Sequence, residues 1–379
     1  MLGHRGFIWL AGGILFLGLD FGAKSLDRWL RPPPPPQTHL SIRVAHPGYD
    51  HGIRPNAAGR ESYGTQSAEY FSNSLGLRDE KIRNVPLRAN LPRFLFMGDS
   101  MTEAGPVSWG ETFVGQLQNR WRGRAEVLNG AVVDFGPALI LAKLRDLLAA
   151  QGLQVETVVV VLNPSVIRTA FTYVEGADGK IQHRRYGPYQ DRAGFFDQTG
   201  KLEAWLENGV EKKSVLLGAL VRNLRLTWRK WHPDTRAMDR LKTWVEDPSQ
   251  ADAGEQKLVE EGVRRTEASL DEILGFLRPR GTSLVVVFLP WPKMILHPDR
   301  HSRLVADLKE WADRMGVPFL DLSGALRQEG APAEVIGKYF LRNDNHLTVA
   351  GHAWVAAQLA DRLEPVSPPP AAVHDGPRR

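Results

Sequence analysis

The sequence predicts an α/β fold in which helices cover both faces of a parallel sheet. Short apolar segments alternate along the chain with longer segments whose apolar residues recur at helical spacing, which is typical of layered α/β proteins. Several apolar segments are continuous runs of β-branched residues, such as TVVVVL at residues 157–162, and they indicate strands buried on both faces. The chain has 379 residues, 42% hydrophobic and 24% charged, which is the composition of a globular protein.

Five strands are predicted where the chain alternates in this way. They cover residues 93–97, 125–128, 157–162, 283–289 and 317–322. Helices are predicted between or after them, at residues 138–148, 303–315 and 349–363. In an open sheet of this kind ligands bind beyond the carboxyl ends of the strands, so we expect the functional site there.

A long segment between the third and fourth strands, at about residues 170–280, is predicted to be a helical insertion. Asp178-Gly179 predicts the turn of a hairpin, and helical patterns follow at residues 201–231 and 256–277. An insertion at this end of a sheet either forms a lid or wall for the substrate or merely decorates the fold, and the sequence favours neither.

The two ends of the chain predict targeting and linker segments. Residues 1–31 contain an apolar run, residues 7–19, behind a basic residue. As a helix this run spans about 20 Å, less than the bilayer core, which favours a signal peptide or signal anchor over a packed membrane span. A buried N-terminal helix is the alternative. Residues 32–69 begin with five prolines and are predicted to be a Pro-rich spacer and an extended lead-in to a domain at residues 70–365. The last residues, 366–379, are predicted to be a disordered tail.

The composition excludes several classes of protein. The net charge is only +5, without a dense basic run that contains aromatic residues, so we expect no nucleic-acid partner. The absence of cysteine excludes disulfides, Cys-ligated metals and a thiol nucleophile. The motifs of zinc proteases, P-loop nucleotide binding and dinucleotide binding are also absent from the sequence, so we predict neither a cofactor nor a metal.

Ser100 is the first candidate for a catalytic residue, because it follows the first predicted strand and the dipeptide Gly98-Asp99. A serine hydroxyl needs a base to become a nucleophile. Asp344 and His346 precede the final helix, and residues two apart in an extended segment point to the same side. The carboxylate could therefore hold one imidazole nitrogen while the other nitrogen faces Ser100, which is the arrangement of a Ser-His-Asp triad.

Two sequence blocks resemble those of the GDSL/SGNH hydrolase superfamily. Residues 97–102, MGDSMT, resemble its first block, and residues 344–352, DNHLTVAGH, resemble its last block. Residues 73–79, NSLGLRD, resemble a segment found upstream in membrane-anchored bacterial members, and residues 317–322 are similar to the strand before the last block. The resemblance covers residues 70–365 and implies a three-layer α/β/α fold of the flavodoxin-like type.

The resemblance also implies roles for five residues. Ser100 would be the nucleophile, His346 the general base, and Asp344 the carboxylate that orients His346. The oxyanion hole would consist of the backbone N–H groups of Ser100 and Asp134 together with the side-chain amide of Asn163.

Three positions depart from the family pattern. Asp134 occupies the place of a glycine, and a carboxylate near a developing oxyanion is unfavourable unless it points away. Asn163 lacks the neighbouring glycine and aspartate of the family, and Ser165 is a second candidate if the alignment shifts by two residues. The usual spacing, Asp-x-x-His, would put Asn343 in the place of the acid. Because an amide carries no charge, we assign the acid to Asp344, and this Asp-x-His spacing resembles that of alginate O-acetyltransferases.

Together these features predict an exported enzyme of the cell envelope or periplasm whose N-terminal segment contacts the membrane. We expect a serine-dependent acyl-ester hydrolase, an esterase or deacetylase, that acts on an acyl ester such as an acetylated envelope polysaccharide. Two alternatives remain open at this point. They are a polysaccharide O-acetyltransferase with the same triad, and a non-catalytic protein that uses the same fold for glycan binding or assembly.

Overall fold

An eight-stranded sheet lies at the centre of the fold. The computed structural model describes residues 19–20, 42–63, 66–176, 180–184, 253–297, 302–342, 344–363 and 365. Within these ranges the strands are β1 (Arg43–His46), β2 (Asp50–Ile53), β3 (Ala58–Tyr63), β4 (Gln66–Ser72), β5 (Arg78–Asp79), β6 (Arg93–Met97), β7 (Glu126–Asn129), β8 (Thr157–Leu162), β9 (Tyr173–Glu175), β10 (Ile181–His183), β11 (Ser283–Phe288) and β12 (Phe319–Asp321). The α-helices are α1 (Ser100–Glu103), α2 (Phe113–Arg120), α3 (Pro137–Leu144), α4 (Ser165–Thr172), α5 (Ala253–Leu277), α6 (Pro292–Leu296), α7 (Ser302–Met315), α8 (Ser323–Arg327), α9 (Pro332–Tyr339) and α10 (Val349–Ala360). A π-helical turn, Arg145–Ala150, continues α3, and 3₁₀ turns cover Trp109–Glu111 and Arg278–Arg280.

The strand order across the sheet confirms the predicted fold class. The order is β12-β11-β8-β6-β7-β5-β4-β3. The five strands from β12 to β7 are parallel, and β6, the first of them in the chain, lies between the second and the third. This is the flavodoxin-like order. These five strands differ from their predicted bounds by at most two residues, because continuous β-branched runs form strands with little help from their surroundings.

Three antiparallel strands extend the sheet beyond β7, and two of them contain residues for which the sequence predicts only an extended lead-in. β3 and β4 form a hairpin, β4 pairs with β5, and β5 pairs with β7. β1 and β2 form a separate hairpin. The part of the lead-in that the structure describes is therefore largely strand. Its polar residues carry little intrinsic strand preference, so pairing with neighbouring strands decides its structure.

The loop between β4 and β5 contains the NSLGLRD segment. Oδ1 of Asn73 accepts hydrogen bonds from two following N–H groups at 3.0 and 3.2 Å. Gly76 has a φ of 66°, and a Cβ atom there would lie 2.4 Å from the carbonyl oxygen of Ile53. Both the backbone conformation and the available space thus require glycine. The turn leads Arg78 into β5, where its side chain reaches the backbone around the end of α1.

Helices cover both faces of the sheet. α2 and α10 pack against each other, and their apolar residues join one cluster with strand residues such as Phe94 and Val287. The alternating residues of the same strands, such as Leu95 and Val286, are fully buried on the opposite face, where α3, α4 and α5 pack together. The helices predicted at residues 138–148, 256–277, 303–315 and 349–363 are confirmed, with small differences at their ends.

Several predicted segments lie outside the described residues. They are the N-terminal apolar run up to residue 18, the proline run, the helix at residues 201–231 and the tail at residues 366–379. β9 and β10 form the predicted hairpin. Its turn at residues 177–179 also lies outside the described residues. In the part of the chain that the structure describes, no helix has both the length and the hydropathy needed to cross a membrane. All described residues except Leu19 and Asp20 belong to one compact unit, Thr38–Arg185 with Arg240–Arg379.

Candidate active site

A cleft of about 810 Å³ opens beyond the carboxyl ends of β6, β7, β8 and β11. Its lining includes residues that follow each of these strands and residues of the loop before α10, among them Asp99, Ser100, Asp134, Ser165, Trp291 and His346. Ligands of flavodoxin-like sheets bind at this edge. Over the described ranges, no group of three or more acidic or histidine side chains could hold a metal ion.

Ser100 lies at the first position of α1, in the tight turn that follows β6. Asp99 caps the helix, because its Oδ1 accepts a hydrogen bond from the N–H of Met101 at 3.0 Å. Gly98 is required by space, since a Cβ atom there would lie 2.5 Å from Oγ1 of Thr102. The sequence Gly-Asp-Ser at the end of a buried strand therefore presents the serine hydroxyl to the cleft.

Ser100, His346 and Asp344 form a line of hydrogen bonds. Nε2 of His346 lies 2.9 Å from Oγ of Ser100, and Nδ1 lies 2.6 Å from Oδ1 of Asp344. The same carboxylate oxygen accepts the backbone N–H of His346 at 2.9 Å, so Asp344 holds both the ring and its main chain. The structure thus brings together three side chains although Ser100 and His346 are 246 positions apart in the sequence. Asn343, the other candidate for the acid, lies outside the described residues.

Asp134 lies on the cleft in the turn that follows β7. Its φ is 64°, a left-handed conformation that explains why glycine suits this position in the family. Its carboxylate forms an ion pair with Nη2 of Arg168 and accepts a hydrogen bond from the hydroxyl of Tyr173 at 3.3 Å. These partners offset the negative charge. In the described part of the chain, the backbone N–H groups of Asp134 and Ser100 donate to no protein acceptor.

Asn163 does not reach the cleft. Its side chain is 1% exposed, and its Nδ2 donates to Oδ2 of Asp99 at 2.8 Å. Ser165 does line the cleft, but its hydroxyl donates to the same oxygen at 2.9 Å. One N–H of the Asn163 amide and the hydroxyl of Ser165 therefore both donate to the buried Asp99 carboxylate.

His352, the second histidine of the last block, is a packing residue. It is 2% exposed, its ring stacks on Phe113 at 5.7 Å, and its Nδ1 accepts the N–H of Phe113 at 3.4 Å. Burial, with smaller effects of Arg78 and His346, lowers the pKa of His352 to about 3. The ring is thus neutral at physiological pH and lies within the core.

A buried charged group that no sequence pattern predicts lies at the end of α1, the helix that begins with Ser100. Glu103, at the end of α1, is 1% exposed; Arg43 forms an ion pair with it at 2.6 Å, and the hydroxyl of Tyr70 donates to it at 2.8 Å. Burial alone would raise the pKa of Glu103, but the charge and hydrogen bonds of Arg43, the hydrogen bond from Tyr70 and the charge of Arg78 outweigh it, so the pKa is lowered. Of the residues whose charges lower the pKa of Glu103, the sequence motifs single out Arg78, which belongs to the NSLGLRD segment.

About a third of the chain matches a known family. Residues 248–376 match the family model described as the SGNH hydrolase-like domain of the acetyltransferase AlgX. The matched segment contains Asp344 and His346 and begins after Ser100, Asp134 and Asn163. The resemblance to SGNH hydrolases, and that of the last block to alginate O-acetyltransferases, is confirmed.

The solved structures to which this chain is similar include those of three proteins. They are the acetylxylan esterase Axe2 from Geobacillus stearothermophilus (13% identity, 74% of this chain and 97% of that chain, TM-score 0.40), TesA (13% identity, 72% and 98%, TM-score 0.40), and LAE5, an α/β hydrolase enzyme from the metagenome of Lake Arreo, Spain (15% identity, 72% and 96%, TM-score 0.40). No curated protein matches the sequence.

Proposed function

We propose that this SGNH hydrolase-like chain is a serine-dependent acyl-ester hydrolase that works through Ser100, His346 and Asp344. The observation that carries the proposal is the line of hydrogen bonds from Asp344 through His346 to Ser100, at 2.6 and 2.9 Å, on the wall of the cleft. Both distances are within reach for proton transfer, and the hydroxyl needs no rearrangement before it attacks.

The first half of the reaction forms an acyl-enzyme. Oγ of Ser100 bonds to the ester carbonyl carbon while Nε2 of His346 takes the hydroxyl proton, and the carbonyl π electrons move to oxygen. When the tetrahedral intermediate collapses, the bond to the alcohol breaks and the leaving oxygen takes the proton from His346. The negative charge of Asp344 stabilises the imidazolium between these two events.

The second half returns the enzyme to its starting state. Water gives up a proton to His346 and bonds to the acyl carbon, and the Ser100 ester then breaks with the proton passing to Oγ. In both halves the negative oxygen would rest on the backbone N–H groups of Ser100 and Asp134, which have no other acceptor in the described part of the chain. The ion pair with Arg168 keeps the Asp134 carboxylate from opposing this charge.

The walls of the cleft favour a substrate with both apolar and polar parts. Trp291 lies on one side, and the exposed side chains of Leu296 and Val133 lie at the cleft as well, 46% and 38% exposed. The proposed substrate is an acetylated polysaccharide of the cell envelope. The support for this location is the N-terminal apolar run behind a basic residue, which is typical of an exported or anchored protein.

A polysaccharide O-acetyltransferase with the same three residues is the second candidate. It is favoured by the match of residues 248–376 to a domain of the acetyltransferase AlgX, since this segment contains Asp344 and His346. The chemistry differs only in the second half, where a sugar hydroxyl replaces water. A non-catalytic glycan-binding or assembly protein is the third candidate, and the intact line of hydrogen bonds speaks against it.

The experiment that tests the proposal is turnover of p-nitrophenyl acetate by the full chain. We expect Ser100→Ala to lower kcat/KM by roughly 10³-fold or more, because the nucleophile is lost. Ser108→Ala is the matched control. Its hydroxyl is exposed and caps no helix, so we expect unchanged activity. Equal turnover by Ser100→Ala and the unaltered chain would contradict the proposal.

The same assay separates the two catalytic candidates when a bare polysaccharide is added. Mass spectrometry of the products then shows where the acetyl group goes. Free acetate in proportion to p-nitrophenol supports the hydrolase, whereas acetyl groups on the polysaccharide support the transferase. If neither acetylated glycans nor p-nitrophenyl acetate yields Ser100-dependent product, the non-catalytic candidate is favoured.

A further inference from the structure

The turn that contains Asp134 is held by groups from three separate parts of the chain. The N–H of Val132 donates to the carbonyl oxygen of Gly98 at 3.1 Å. The N–H of Val133 donates to Oε2 of Glu103 at 2.6 Å. The carbonyl oxygen of Val133 accepts a hydrogen bond from Nε2 of His51 at 2.8 Å. The peptide groups just before Asp134 therefore form hydrogen bonds to the residue that follows β6, to α1 and to β2.

His51 is itself held in a fixed orientation. It is 6% exposed, its Nδ1 lies 2.7 Å from Oδ2 of Asp50, and its ring meets the ring of Phe135 edge-on at 5.2 Å. Both ring nitrogens thus face oxygen atoms, Oδ2 of Asp50 and the carbonyl oxygen of Val133. This is an Asp–His pair like that of Asp344 and His346, but it ends on a backbone carbonyl instead of a hydroxyl.

We propose that His51 is a positioning residue for the oxyanion hole. The inference rests on the proposed function, because it concerns the same acyl-transfer site. The peptide between Val133 and Asp134 is trans, so its carbonyl and its N–H point in opposite directions. By holding the Val133 carbonyl on the side of β2, His51 holds the Asp134 N–H on the opposite side, where the cleft lies.

The backbone of Asp134 explains why this peptide needs an anchor. Its φ of 64° is unfavourable for a residue with a Cβ atom. Rotation of the 133–134 peptide by half a turn would bring that φ to a negative, unstrained value, and it would also turn the N–H away from the cleft. The hydrogen bond from His51 opposes this rotation. It also polarises the peptide, so the Asp134 N–H becomes a stronger donor.

The kinetic test uses the full chain with p-nitrophenyl acetate. We expect His51→Ala to lower kcat roughly 10- to 100-fold, because the donor of Asp134 is then turned away in most molecules. KM stays within about twofold, since the hole acts on the transition state. His51→Gln keeps an N–H donor for the Val133 carbonyl and recovers most of kcat. His46→Ala is the matched control: it removes a ring stacked on Tyr49 at 3.5 Å in the same hairpin and leaves kcat unchanged.

A second variant separates peptide orientation from a general loss of structure. Glycine adopts positive φ without strain, so Asp134→Gly in the His51→Ala chain removes the reason for the peptide to rotate. We expect the double variant to regain part of kcat, which a merely destabilised protein would not do. If His51→Ala does not fold, His51→Asn replaces it, because the shorter amide does not reach the Val133 carbonyl.

Two results would overturn the inference alone. One is Ser100-dependent turnover that His51→Ala leaves unchanged. The other is a loss that His51→Gln and His51→Ala share equally, with lowered melting temperatures and no rescue by Asp134→Gly. Absence of Ser100-dependent turnover in the unaltered chain is a different outcome, because it overturns the proposed function and the role of His51 with it.

Discussion

Asp344 and His346 are two positions apart, and at the scale of single residues this spacing decides how the imidazole is held. One carboxylate oxygen accepts both the ring Nδ1 at 2.6 Å and the backbone N–H of His346 at 2.9 Å. The ring therefore cannot turn without breaking a hydrogen bond to a charged group, which is stronger than a neutral one. In the proposed mechanism Nδ1 carries the proton, and Nε2 accepts one from Ser100.

Asp344→Asn should remove most of the activity without unfolding the chain. The amide cannot stabilise an imidazolium and also favours the wrong tautomer, so we expect kcat to fall roughly 10³- to 10⁴-fold. KM should change little, and the measurement is initial-rate kinetics with p-nitrophenyl acetate.

Asp321→Asn is the control for this change. Asp321 is an exposed carboxylate whose Oδ1 accepts the N–H of Ser323 at 2.8 Å, and an amide oxygen accepts it equally well. Activity should be unchanged. If Asp344→Asn kept a tenth or more of the activity, Asp344 would not be the acid of the triad.

At the scale of secondary structure, α1 depends on a strand that lies far away in the sequence. The helix has only four residues, so its own hydrogen bonds satisfy few of its carbonyl groups. Arg78 in β5 donates to the carbonyl oxygen of Glu103, the last residue of the helix, and to those of Ala104 and Val107, which follow it. The side chain is 1% exposed and lies over the ring of Tyr70 at 5.0 Å. The antiparallel strands thus stabilise the element that presents Ser100.

Arg78→Met should destabilise the protein strongly. The substitution leaves three buried carbonyl groups without their donor, so we expect the free energy of unfolding to fall by about 3 kcal/mol or more. Arg78→Lys should recover only part of this, because an ammonium group lacks the planar fork of donors. The measurement is urea unfolding followed by circular dichroism.

Arg60→Met on β3, the strand at the edge of the same sheet, is the matched control. Arg60 is exposed and makes one long hydrogen bond, 3.4 Å to Ser67, so the change should stay within about 0.5 kcal/mol. Equal urea midpoints for Arg78→Met and the unaltered chain would show that α1 does not rely on β5.

At the scale of the whole molecule, Lys143 makes stability depend on pH. Its side chain is completely buried in α3, and its Nζ has no hydrogen-bond partner among the described residues. The rings of Tyr49 and Phe135 each lie 5.8 Å away. Burial lowers the pKa of Lys143 to about 7, only partly opposed by the charge of Glu103. Between pH 7 and the ordinary lysine pKa near 10.5, the unfolded chain therefore holds a proton that the folded chain has lost, and stability rises with pH.

Lys143→Met should raise the melting temperature most at or below neutral pH. At pH 6 the folded protein buries a charged ammonium group that the variant lacks, and we expect a gain on the order of 5 °C. Near pH 10 the gain should shrink, because the lysine is then neutral in the folded state. Calorimetry at both pH values checks this.

Lys309→Met provides the comparison for the pH effect. Lys309 is exposed and forms a surface ion pair with Asp313 at 2.5 Å, so the substitution should have a small effect. A gain for Lys143→Met that is the same at pH 6 and pH 10 would mean that the buried amine does not titrate as described.

The sequence by itself determined the parallel core and the line from Asp344 to Ser100. The strands are continuous apolar runs, and a residue that follows such a strand is bound to lie at one edge of the sheet. Ser100 follows such a strand, Asp344 and His346 precede the final helix, and both places resemble blocks of the SGNH hydrolases, so the three residues could be named before their distances were known. The spacing of apolar residues and the ends of apolar runs are local properties, so they can be identified from the sequence alone.

Only the tertiary structure decided which hydrogen-bond partners the buried polar groups around the site have. The resemblance assigns the Asn163 amide to the oxyanion hole, and folding places the buried carboxylate of Asp99 2.8 Å from that amide. His51 reaches the carbonyl of Val133 across 82 positions, from a segment predicted to be a lead-in. Most buried polar groups have a hydrogen-bond partner, and which partner they have depends on the groups that folding brings opposite them. That choice is made between strands and helices far apart in the chain, so no local pattern records it.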